Sequence, residues 1–331
     1  MGDSVEIRRV VVVGAGAIGG WLAAGLDKAG ADVGLLARGA TLQAVQRHGL
    51  RVREGDKEVS HPLRASAQAA ELGTPDLVVL AVKAPALAAV APQVRALLGP
   101  KTAVLTAMNG VPWWFLHGLD TSLRQRGLRS VDATGEIAAA IPSDRVIGGV
   151  VHASCSVDAP GVVRRHFGNK LIIGEAAGGG SKRLQALETL LQRSGLEVET
   201  SPRIQRDIWF KLWGNMTMNP ISALTGATTD RILGDPDVRA MVSAVMLEAR
   251  AIGEKIGLPI EQEPEDRHAV TLKLGAFKTS MLQDVEAGRP VELDALLGAV
   301  IELGQLTTTA MPFTRALMGL ARVHAQTRGL Y

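Results

Sequence analysis

Lys211, Asn215 and Asn219 recur every four residues through "WFKLWGNMTMNP" (209–220), a stretch otherwise dominated by Trp, Phe, Leu and Met. At ~100° per residue a step of four drifts by only about 40°, so on a helix the three side chains share one face. A lysine on so apolar a helix is costly to bury, because burial disfavours its charged form. Such a lysine either carries its head out to water on its aliphatic stem or does proton chemistry. Asn215 and Asn219 extend the stripe with neutral donors and acceptors, and Pro220 is expected to weaken or end the helix just after them. Downstream, "TSMLQDVEAGRPVELDALL" holds Ser280 and Asp284 one helical turn apart, with Glu292 beyond Gly288 and Pro290. Taken singly, each is compatible with a solvated position. Together, a lysine, two asparagines, a serine and a glutamate suit a small carboxylate substrate that bears a carbonyl.

A second set lies near the start. Gly14, Gly16 and Gly19, in "RRVVVVGAGAIGG", match G-x-G-x-x-G directly after a β-branched run and at the opening of a helical pattern. That context marks a dinucleotide-binding turn rather than a chance string. Small residues let the backbone of Gly14, Ala15, Gly16, Ala17, Ile18 and Gly19 approach a pyrophosphate, to which the helix N-terminus presents free N–H groups and a partial positive charge. NAD-specific versions end the second strand with an acid that holds the ribose 2′-hydroxyl. Here "DVGLLARGA" ends in Arg38 with no acid near it, which suits the 2′-phosphate of NADP; the alternative is a solvated arginine. Lys83 ends "LVVLAVK" and Asn109-Gly110 ends "AVLTAMNG". Both stand at strand carboxyl ends, where open α/β sheets bind ligands, and could bond ribose, nicotinamide amide or substrate. Alone, either also fits an ordinary loop.

The elements that must position these residues are legible along the chain. Strand and helix signals alternate through the first 200 residues: "RRVVVV", "DVGLLAR", "PDLVVLAVK" and "TAVLTAMNG" are buried-strand patterns separated by helical ones. "LRVREGDKEVSHPLRA" alternates around Gly55-Asp56 as a hairpin. Shorter strand-like runs follow in "VIGGVVHASCSV", "GVVRRHF" and "KLIIGE", then a helix ended by Gly195 and a last strand, "LEVETS". After Ile204 the pattern reads as helices punctuated by prolines. The expected fold class is α/β: an N-terminal Rossmann-type doubly wound sheet over residues 1–202, then an all-helical domain over residues 203–331.

Composition excludes several functions. With 47% hydrophobic and 21% charged residues over 331 positions, the chain reads as globular, with two domains by length. The formal net charge of +3 is spread along the chain, so no nucleic-acid surface is expected. One cysteine, Cys155, cannot form an internal disulfide, and seven scattered histidines offer no structural metal site. Neither a signal peptide nor an apolar run of ~18 residues is found, so a soluble cytoplasmic protein with no membrane partner is expected. Monomer and homodimer are both compatible with the helical half.

Nearly end to end, the chain resembles the ketopantoate reductase (2-dehydropantoate 2-reductase) family. The resemblance runs from "GAGAIGG" through "AVKAPAL", "MNG" and "KLWGNMTMNPISALTG" to "SMLQD" and "VELD". It implies a Rossmann domain followed by a helical one, and reduction of 2-dehydropantoate to (R)-pantoate with NADPH on the route to pantothenate. By the same resemblance Lys211 is the catalytic acid and Glu292 bonds substrate and helps position the lysine. Asn215, Asn219 and Ser280 bind substrate, Asn109 touches substrate or nicotinamide, and Lys83 and Arg38 serve the cofactor. Asp284 is given a structural role before Glu292. Two departures stand out: Trp113-Trp114 after Asn109-Gly110, and Phe277 where related chains often carry asparagine. Both make the site more apolar. They keep open a reductase of a different branched or bulky 2-oxo acid, and a non-catalytic NADP(H) sensor is the remaining alternative.

Overall fold

The structure, a computed structural model, describes residues 6–119 and 122–331. Its strands and helices follow in the order β1 (Arg9–Val13), α1 (Ala17–Lys28), β2 (Asp32–Leu36), α2 (Gly39–His48), β3 (Leu50–Glu54), β4 (Lys57–His61), β5 (Arg64–Ser66), β6 (Leu77–Leu80), α3 (Leu87–Leu97), β7 (Ala103–Thr106), α4 (Glu136–Ala140), β8 (Val146–Ala159), β9 (Val162–Glu175), α5 (Lys182–Arg193) and β10 (Glu197–Thr200). The strand path β5-β2-β1-β6-β7-β8 is parallel throughout, the strand order of a Rossmann sheet. Its central members bury both faces: Val10 to Val13, Leu77 to Leu80, Val104 and Leu105 have no exposed surface. That is why they read as continuous apolar runs rather than alternating ones.

Beyond β8 the sheet departs from the expected parallel design. β9 runs antiparallel to β8, β3 pairs with β9, and the β3–β4 hairpin closes that end, with Glu54 opposite Lys57 across Gly55-Asp56. The three short runs expected between 146 and 174 are in fact two 14-residue strands. Their pairing shifts register at bulges between His152 and Ser154, Ser154 and Cys155, and Val157 and Ala159. Those bulges interrupt the period-two signal, so the sequence looks like fragments. The sheet wraps α1, which packs against β1, β2, β3, β8 and β9.

The second half is helical: α6 (Ile204–Thr225), α7 (Thr229–Gly234), α8 (Pro236–Lys255), α9 (Pro264–Leu272), α10 (Ser280–Glu286), a π-helical turn (Asp294–Gly298), α11 (Ala299–Leu306) and α12 (Pro312–Thr327). No described helix is long and apolar enough to cross a membrane. Pro220, expected to weaken or end the helix, does not end α6. The five residues after it include Ile221, Ser222 and Ala223, all buried, and that packing outweighs one lost helical hydrogen bond.

The chain forms two compact units. One holds the residues up to Met108 together with Glu136–Ile204; the other holds Asn109–Gly135 together with Gln205–Tyr331. The single boundary expected near residue 202 therefore misses a segment. Residues 109–135 follow a sheet strand in sequence but belong to the helical unit. Within that unit, the Val111 amide donates to Ala295 O at 2.8 Å. Glu302 accepts from the Arg129 and Ser130 amides at 2.9 and 2.8 Å and from the Ser130 hydroxyl at 2.7 Å.

Candidate active site

In the sheet unit the three glycines have different physical roles. Gly14 has φ 99°, and a Cβ there would lie 2.8 Å from Val82 Cγ1 and 3.0 Å from the Ala81 backbone. A Cβ on Gly19 would fall 1.9 Å from the Gly14 carbonyl oxygen. These two are demanded by the fold's own packing. Gly16 is different: a Cβ there meets nothing within 4 Å. Its bareness is not needed by any neighbour in the fold and suits the close approach of a pyrophosphate. Gly16 is the N-cap of α1, with no side-chain cap and no acid in the first turn, so the amides of this helix end are left for an anion. Ala15, Ala17 and Ile18 complete the turn, and the Gly14 amide ties it to β2 through Leu36 O at 3.2 Å.

Arg38 follows β2 as the exposed N-cap of α2, whose first turn holds no acid. Lys83 lies three residues past the end of β6, at the N-cap of a short 3-10 turn. Both therefore stand at carboxyl ends of parallel strands.

In the helical unit, Lys211, Asn215 and Asn219 lie on one continuous helix, α6. Trp209 and Trp213 anchor the opposite side in the core; Trp213 Nε1 donates to Met246 O at 2.7 Å. Lys211 is partly buried, and its Nζ donates to Asn109 Oδ1 at 2.9 Å. Asn109 is held for this contact by its neighbour. Gly110 takes φ 81° and lies so close to the π-helical turn that a Cβ would come within 2.7 Å of Ala295. Only glycine fits there.

Burial pulls the Lys211 ammonium down from 10.5 to about 8; the nearby Glu292 carboxylate opposes that shift and Arg267 adds to it. Glu292 is buried, just before the π-helical turn. Asp284, also buried, accepts from Arg289 Nε at 3.0 Å, while the Arg289 amide donates to Asp284 O at 2.8 Å. This clamp shapes the turn that leads into Glu292. Asn219 is buried and Asn215 half-buried, whereas Ser280 is exposed at the first position of α10. Trp113 and Trp114 are core residues, and the neighbouring Phe115 ring lies 6.0 Å from that of Trp209.

Arg267 was not singled out by sequence. "EDRHAV" reads as a solvated helix start, and the one hint was Gly214 inside an otherwise bulky helix. The structure sets the Arg267 guanidinium carbon 5.4 Å from the Phe210 ring centroid.

A partly buried lysine of lowered pKa beside a carboxylate is proton-transfer equipment, and a Rossmann sheet with a glycine turn is dinucleotide-binding equipment; together they define a dinucleotide-dependent oxidoreductase. Comparison with known proteins specifies the kind. Residues 10–178 match the family model "Ketopantoate reductase PanE/ApbA", and residues 203–325 match "Ketopantoate reductase PanE/ApbA C terminal". A 2-dehydropantoate 2-reductase of Mesorhizobium japonicum is 45% identical over 98% of this chain and 99% of its own. A crystal structure of a ketopantoate reductase candidate from Ralstonia solanacearum MolK2 superposes with TM-score 0.95 at 54% identity, covering 98% of this chain and 100% of that one. The 2-dehydropantoate 2-reductase of Methylococcus capsulatus gives TM-score 0.82 at 29% identity, with 97% of each chain covered. The chain belongs to the ketopantoate reductase family, a family of NADP-dependent oxidoreductases.

Proposed function

We propose that this protein reduces 2-dehydropantoate to (R)-pantoate with NADPH, in the cytoplasm, as a step of pantothenate synthesis. The observation that carries the reading is Lys211: partly buried, bonded to Asn109 at 2.9 Å and brought to about 8 beside Glu292. NADPH, when bound, supplies the hydride that reaches C2 of the oxo acid. Gly14, Ala15, Gly16, Ala17, Ile18 and Gly19 would hold its pyrophosphate, Arg38 its 2′-phosphate, and Lys83 its ribose. Lys211 Nζ, as ammonium, donates a proton to the C2 oxygen as negative charge develops there, a contribution of roughly 10²–10⁴-fold. Glu292 keeps the lysine protonated by its charge and accepts a substrate hydroxyl. Asn109 orients the ammonium; Asn215, Asn219 and Ser280 bond the substrate's polar groups.

The test is NADPH oxidation by purified protein across a panel of 2-oxo acids. Preference for 2-dehydropantoate is the expected result. Preference for another acid keeps the chemistry and moves the substrate, and turnover of none of them rejects the reading in favour of a sensor.

A further inference from the structure

The neighbourhood of Lys211 holds one charge that the mechanism above leaves unused. Arg267, on α9, lays its guanidinium over the α6 surface that borders the Lys211 stripe. It sits 5.4 Å from the centroid of the Phe210 ring, and its Nε and Nη2 would be 2.8 and 3.1 Å from a Cβ on Gly214. At ~100° per residue, Gly214 falls between Phe210 and Lys211 around the helix, so the guanidinium lies on the edge of the polar face. Glycine is a poor choice for a helix interior, and here its missing side chain is what admits the arginine. The Nε is buried without a hydrogen-bond partner, and among the described residues no carboxylate pairs with this side chain. With Nε packed against α6, the two Nη groups are the donors left for a ligand, and their planar pair matches a carboxylate.

We propose that Arg267 is a substrate-binding residue that takes the carboxylate of the 2-oxo acid. The proposal rests on the reductase reading above. With its carboxylate on Arg267, the substrate is tethered beside Lys211 by the group adjacent to the carbonyl that accepts the proton. It also answers the apolar Phe277: a polar contact missing from one segment is supplied from another helix.

The test compares 2-dehydropantoate with its lactone, which keeps the C2 carbonyl and lacks the free carboxylate, in the wild type, Arg267→Met and Arg267→Lys near pH 7. The lactone is used as substrate or, if it is not turned over, as competitive inhibitor. Arg267→Met is expected to raise KM for the acid roughly 10–100-fold, the range for a lost charge-assisted hydrogen-bonded pair, with kcat changed less than about 3-fold. Constants for the lactone and the affinity for NADPH, which also reports folding, stay at wild-type values, and Arg267→Lys recovers part of the loss. Equal losses for acid and lactone, or an unchanged KM for the acid, overturn the proposal while leaving the function intact. Absence of acid turnover by the wild type overturns the functional reading itself, and the proposal with it.

Discussion

Replacing Glu292 by glutamine should move the pH dependence of reduction in a direction set by charge alone. Lys211 donates its proton only as the ammonium, and its pKa is about 8 instead of 10.5. On that value about nine-tenths of the lysine is protonated at pH 7, about half at pH 8 and roughly one-tenth at pH 9. Wild-type kcat/KM should therefore be flat below about pH 7 and fall towards tenfold per unit above about pH 8. Glu292 is the group whose charge resists the effect of burial, so its removal lowers the lysine further. An opposite charge at close range is worth about 1–3 pKa units, which brings the limb to between roughly pH 5 and pH 7. At pH 8 that costs Glu292→Gln at least about fivefold through protonation alone, and part of the loss returns on acidification. Arg267→Met provides a control of opposite sign, since the arginine depresses the lysine and its loss raises the limb. The assay is the initial rate of NADPH oxidation from about pH 5 to about pH 10. A wild-type profile still flat beyond pH 9, or a Glu292→Gln limb that stays in place while the rate drops, would refute Lys211 as the titrating acid.

Three further outcomes follow from the same geometry. Lys211→Ala should lower kcat by at least ~100-fold while NADPH affinity, measured by fluorescence titration, stays near that of the wild type. Arg38→Ala should weaken NADPH far more than NADH, by roughly 10–100-fold for one lost charge-assisted contact to the 2′-phosphate; equal losses for the two cofactors count against a phosphate role. Gly16→Val and Gly19→Ala should separate binding from folding. A Cβ at 16 meets nothing within 4 Å, so Tm should hold while NADPH affinity falls; alanine at 19 collides with the Gly14 carbonyl and should lower Tm by roughly 2–12 °C, read by calorimetry.

What could be read from sequence was what local chemistry repeats. The β-branched run before Gly14, the three glycines and the four-residue period of Lys211, Asn215 and Asn219 each fall within a single strand–turn–helix or helix, where spacing converts directly into direction. The Gly55-Asp56 hairpin was legible for the same reason. Matters settled by contacts between distant segments were not legible. Pro220 argued for a helix end, but burial of Ile221 to Ala223 carries α6 on to Thr225. The strands β8 and β9 are long because they pair with each other through bulges, a property neither contains alone. Residues 109–135 join the helical unit through Gly110 against Ala295 and Glu302 against Arg129 and Ser130, partners some 170 or more residues away in the chain. Arg267 acquires its role in the same way, only because Gly214 leaves space for it beside Phe210. The sequence by itself determined which residue types face together along each element. Which of them lose water, and hence that Lys211 titrates near 8 beside Glu292, was decided by tertiary packing, because desolvation and charge proximity depend on what the rest of the chain brings to that face.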